Sequence, residues 1–156
     1  MISKATNDPL ANYLQRCREL IALHGHMVQS VFGQDRTAPY SYTIGLTTQL
    51  GAELVIFGLS PEMSSSMLNT LSKRLQDAPI EDNVHITGIA NVPFLLRTVR
   101  FDPDIHPIAV AIRLGYTPTH LRYVLWPDAN GAFPGDAAYR SIITQSFDDA
   151  LQSTRH

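Results

Sequence analysis

Apolar residues recur at three- and four-residue steps near the start of the chain: Leu10, Tyr13, Leu14, Cys17, Leu20 and Ile21. That spacing predicts a helix with one buried stripe. Asp8 ahead of Pro9 supplies an N-terminal cap, and Gly25 supplies the left-handed stop. His24 therefore falls in the last turn, where the helix dipole favours its imidazolium. The period then changes. Residues 27–32 and 40–46 are rich in β-branched and aromatic side chains and predict two strands, paired antiparallel across the polar stretch 33–39. Residues 53–57 are almost continuously apolar, as in a central strand covered on both faces. Ser60 and Pro61 open a second helix whose inner stripe is Met63, Met67, Leu68, Leu71 and Leu75, with Lys73 and Arg74 near its end.

Further along, strands are predicted over 84–88, 94–101 and 121–126, and a short helix over 105–115. A terminal helix is expected over about 137–151, on a stripe of Tyr139, Ile142, Ile143 and Phe147. The order α-β-β-β-α-β-β-α-β-α lacks the regular alternation of a doubly wound fold. It predicts an α+β fold: one domain over 1–156, a mixed and largely antiparallel sheet, and helices packed mainly on one face.

Composition narrows the function classes. The 156 residues are 44% hydrophobic and 17% charged, with a formal net charge of -2. A core is affordable, and the slight acidity argues against a protein dominated by phosphate-backbone binding to nucleic acid. One cysteine, Cys17, excludes an internal disulfide framework and a multi-thiolate zinc site. The N-terminal residues lack the apolar run of a secretion signal, and no stretch approaches a membrane span, so a cytoplasmic protein without a membrane is expected.

The candidate chemistry is sparse. His24 and His26 form a His-x-His pair, but the remaining ligand candidates, His85, His106, His120 and Asp128, sit at no familiar metal spacing, so no metal and no cofactor is expected. A second grouping, His24, Tyr42, Glu53 and Asp128, combines a proton carrier, a carboxylate to orient it and a hydroxyl to stabilise an oxyanion. Each member also has a structural role open to it: helix end, sheet face, strand start and Asx-type turn. Trp126-Pro127-Asp128 resembles the acid loop of tyrosine phosphatases, but Cys17 lies on a helix stripe without a phosphate-cradling loop, which excludes that chemistry. Nucleotide-binding glycine loops and a serine-hydrolase elbow are absent from the sequence. Arg97, Arg100, Arg113 and Arg122 are candidates for an anion or acidic partner, set against an ordinary role as solvated or paired arginines.

Five segments stand in a fixed order: His24-Gly25; Tyr42-Thr43-Ile44-Gly45-Leu46; Glu53-Leu54-Val55-Ile56-Phe57-Gly58-Leu59; Leu68-Asn69; and Trp126-Pro127-Asp128-Ala129-Asn130-Gly131-Ala132-Phe133-Pro134. Together they resemble a family of small bacterial proteins classed as a domain of unknown function, over about residues 20–135. In that family a Trp usually follows His-Gly and another follows Phe-Pro; this chain has His26 and Gly135 there. The resemblance implies no established activity. Two readings follow. The first is a protein-binding module, of the inhibitor or immunity type, that neutralises a partner protein through Tyr116, Arg122, Tyr123, Trp126 and Phe133. The alternative is a small enzyme or small-molecule-binding domain whose cleft uses His24, Tyr42 and Asp128.

Overall fold

In a computed structural model, which describes residues 8–33, 38–141 and 143–148, α1 (Pro9–His24) begins where Asp8 accepts a hydrogen bond from the Leu10 N–H at 3.0 Å. It ends at Gly25, whose φ of 87° is left-handed. β1 (Met27–Val31) and β2 (Tyr40–Ile44) pair antiparallel, with Met27 opposite Ile44. The chain then makes a single turn of helix, α2 (Thr47–Leu50), and enters β3 (Ala52–Phe57), buried along its whole length. α3 (Pro61–Asp77) is capped by the Ser60 hydroxyl, which accepts from the Met63 N–H. β4 (Leu95–Arg100), α4 (Ala109–Arg113) and β5 (His120–Leu125) complete the elements.

The strands form one sheet in the order β1-β2-β3-β5-β4. Among the described residues only β3 and β5 run parallel; the other pairs are antiparallel. The expected α+β domain with a mixed, largely antiparallel sheet is therefore the one observed. The helices, however, divide between the faces instead of gathering on one. Cys17 and Ile21 of α1 and Ala111 of α4 pack with Tyr42, Val55, Phe57 and Tyr123 on one side. Leu68, Leu71 and Leu75 of α3 pack with Leu54, Ile56, Leu96 and Val124 on the other. β3, apolar but for Glu53 and buried at every position, demands this, because both its faces need cover. Among the described residues no helix is long and apolar enough to cross a membrane.

Three expected elements differ. The strand over 84–88 shrinks to one bridge between Ile86 and Phe94. Asn83, at a φ of 62°, and Gly88, at 86°, bend the chain on either side of it. The helix over 105–115 is only α4, because Pro107 biases His106 away from helical backbone and delays the start. The terminal helix over 137–151 is absent from its described part, 137–141 and 143–148; Ile142 and residues 149–151 lie outside the described residues. There the side chains act as separate anchors. Gln145 receives the Trp126 N–H and donates to the Trp126 carbonyl, and Phe147 lies edge-on to Tyr40 and Phe57. A helix could not place those groups against one strand end.

β4 is an edge strand, and its outer side is covered by the 80–86 segment. Asp82 accepts from the Thr98 N–H and hydroxyl at 2.7 and 2.8 Å, and Arg122 reaches Asp82, Thr98 and the Ile80 carbonyl. Burial pushes the Asp82 carboxyl up, but the Arg122 and Thr98 hydrogen bonds outweigh it and hold the group below its usual 3.8. A depressed carboxylate stabilises the fold above its unfolded pKa and loses that contribution as pH falls through the folded value. Asp82→Asn is expected to cost about 1 kcal/mol near neutral pH, a partly solvent-screened contribution. Urea unfolding should show that gap closing below pH 3.8.

Candidate functional site

The last turn of α1, the start of β1 and one face of α3 enclose a cleft of about 510 Å³. Ser65, Asn69, Lys73 and Gln76 recur at three- and four-residue steps, so α3 presents them on one side, beside its buried Leu68, Leu71 and Leu75. Leu20, Met27 and Val28 give the cleft an apolar wall, and His24 and His26 stand at its α1 end. His26 Nε2 lies 2.8 Å from Asn69 Oδ1. With that oxygen as acceptor, Nε2 carries the proton and Nδ1 a lone pair. His26 Nδ1 is shielded from solvent and has no hydrogen-bond partner. Such an atom costs about 1–3 kcal/mol while it stays unmatched.

A buried carboxylate fixes the backbone behind this cleft. Glu53 is fully buried and accepts five hydrogen bonds: from the hydroxyls of Thr43 and Thr47 and from the N–H groups of Gly45, Leu46 and Thr47. Burial pushes its carboxyl above the usual 4.5, against the pull of those bonds. The clamped turn includes Gly45, at a φ of 118°, which presses on the next segment. A Cβ there would sit 2.8 Å from the Gly25 carbonyl oxygen and 3.0 Å from the His26 Cα. Glu53 thus sets the Gly45 turn, and the Gly45 turn sets the backbone that carries His26. Glu53 is a structural clamp here, which the grouping with His24 did not anticipate.

The other expected site residues occupy separate places. His24 lines the cleft and is exposed. Tyr42 is buried under α4, where its hydroxyl accepts from the Val110 N–H at 3.3 Å and burial pushes it far above its ordinary value. Asp128 organises its own loop: Oδ1 accepts from the N–H groups of Asn130 and Ala132, and Oδ2 from that of Arg140. The Arg140 N–H, above all, holds its carboxyl below the usual 3.8. A cleft built from His24, Tyr42 and Asp128 is therefore corrected to one that keeps only His24.

The expected partner surface is also largely internal. Tyr123 is 0% and Phe133 4% exposed, so neither offers a partner any area. Tyr123 donates to Asp148, which also receives His106 Nε2–H at 2.9 Å. Arg122 is committed to Asp82, and the Trp126 indole N–H donates to the Phe57 carbonyl. Tyr116 is half-buried, beside Gly25 and Gly45 on the other side of the His-Gly turn. Arg97 bonds Asn83 and the Pro134 carbonyl, so it and Arg122 pin different loops and form no common anion site. The histidines are likewise dispersed: His85 lies tilted against Phe133, and His106 is buried against Asp148. Among the described residues no three His, Cys, Asp or Glu side chains gather as metal ligands do.

Asn69 and Lys73 carried a weak signal, a polar flank one step off the apolar stripe of α3. Nothing local could connect them to His26, which lies 43 residues from Asn69.

A family described as a domain of unknown function (DUF4262) matches residues 20–140. The chain belongs to this family. No curated protein and no solved structure matches it. Within this DUF4262 domain, the segments that carried the resemblance fall into contact. His24-Gly25 meets Gly45, Glu53 clamps the 45–47 turn, and Trp126 reaches the Phe57 carbonyl.

Proposed function

We propose that the protein is a small-molecule-binding domain whose ligand sits between α1 and α3. The observation that carries this reading is the shielded, unpartnered His26 Nδ1 in a cleft of about 510 Å³. That volume falls within the range of roughly 300–1,000 Å³ common for ligand sites, and mixed polar and apolar walls are usual there. His24, His26, Asn69 and Lys73 orient the ligand, and Leu20, Met27 and Val28 bury its body. The single cysteine is a free, buried thiol, which suits a reducing compartment, so we place the protein in the cytoplasm.

A fragment screen read by amide and histidine-ring NMR tests this. Binding fragments are expected to perturb residues 20–28 and 65–76 together. Perturbations confined to the loop from Trp126 to Arg140 would remove the reading.

One observation favours the protein-binding reading: Leu23, in the last turn of α1, and Phe32, just past β1, are 74% and 77% exposed. Capture of a protein partner is therefore the competing proposal. Leu23→Ser and Phe32→Ser are expected to abolish it if it holds.

A further inference from the structure

Resting on the small-molecule reading, we infer that the ligand of the cleft is anionic: an organic acid or phosphate monoester with an apolar body. The lining includes three basic side chains, His24, His26 and Lys73, and no acidic one. The ion pairs among the described residues are His106–Asp148 and Arg122–Asp82, so Lys73 is in none of them; Asp77, one turn further along α3, lies outside the cleft lining. An ammonium without a counter-charge at a concave, partly apolar surface attracts an anion.

The hydrogen-bond capacity points the same way. Asn69 spends its oxygen on His26, which leaves its two N–H donors for a ligand acceptor. An anionic oxygen suits the Asn69 amide donors and the Lys73 ammonium, and charge-assisted bonds are about twice as strong as neutral ones. One feature opposes the anion: the C-terminal end of α1 carries roughly half a negative charge on its free carbonyls. It falls in the turn that holds His24, and the Lys73 ammonium lines the same cleft from α3. Leu20, Met27 and Val28 require that the charged head carry an apolar body.

The test uses four probes with one ring and different heads: benzoate, phenyl phosphate, benzamide and benzylamine. Each is titrated into the full chain while His26 and Asn69 side-chain resonances are followed. Benzoate or phenyl phosphate is expected to bind at least about tenfold more tightly than benzamide and benzylamine. The tighter of the two identifies the head group as carboxylate or phosphate. Lys73→Gln, at an exposed position that should not disturb folding, is expected to narrow the difference between the anions and benzamide. Benzamide or benzylamine binding in the cleft as tightly as the anions would overturn the anion inference and leave the small-molecule reading standing. Failure of all four to perturb the cleft would overturn both.

Discussion

Glu53→Ala is expected to lower the unfolding free energy by about 3–5 kcal/mol, among the largest effects available to a single substitution here. The side chain holds three backbone N–H groups, those of Gly45, Leu46 and Thr47, that have no freedom to seek another acceptor. Each N–H left buried and unmatched costs about 1–3 kcal/mol, and water entering the vacated space recovers part of that. Release from desolvating a carboxylate offsets a further part, which is why the total stays near the lower end of the simple sum. Glu53→Gln keeps the volume but turns an NH₂ group towards N–H donors, so about 2–3 kcal/mol is expected from it. Urea unfolding at constant m reads both; a loss under about 0.5 kcal/mol for the alanine variant would contradict the clamp. The pH dependence has a definite sign. A carboxyl raised above 4.5 in the fold binds a proton there that the unfolded chain has already released. Its contribution therefore falls as pH rises through the folded value, and Glu53→Gln removes that slope.

Gly45→Ala is expected to cost about 2–5 kcal/mol, from a left-handed backbone and an overpacked contact together. The new Cβ would meet the Gly25 carbonyl and the His26 Cα, backbone atoms that cannot turn aside as a flexible side chain would. Gly51→Ala separates the two causes. Gly51 also has a positive φ, 72°, but nothing lies within 4 Å of its Cβ position, so only the conformational cost of about 1–2 kcal/mol applies. The Gly45 variant should also shift the His26 ring resonances, because it displaces the backbone that carries them. Equal destabilisation by the two substitutions would show that Gly45 does not press on the His-Gly turn. Combined with Glu53→Ala the loss should be less than additive, since both act on one turn.

The legible parts of the fold were those with local physics behind them. Asp8-Pro9 and Ser60-Pro61 mark the starts of α1 and α3, but the apolar stripes are buried only in part: Cys17 and Ile21 of α1 and Leu68, Leu71 and Leu75 of α3 are covered, while Leu10, Tyr13, Leu20 and Met63 stay exposed. The apolar run of β3 announced a central strand, and the same run implied cover on both faces, at odds with helices gathered on one. The tail failed for the opposite reason. Tyr139, Ile143 and Phe147 have helical spacing, yet Phe147 is used as a single plug among Tyr40, Phe57 and Tyr123. At the site, His24 was legible from the helix end, and the Asx role of Asp128 from its glycine. The His26–Asn69 pair was not, because it joins two segments that only tertiary packing brings together.

Native mass spectrometry of the protein, gently purified from the cells that make it, is the most direct test of a ligand cleft. A small-molecule adduct is predicted, carried by the wild-type chain and lost in both Asn69→Ala and Lys73→Gln. A stoichiometric complex with another protein, free of any small molecule and unchanged by either substitution, would contradict the cleft and favour the partner-binding reading.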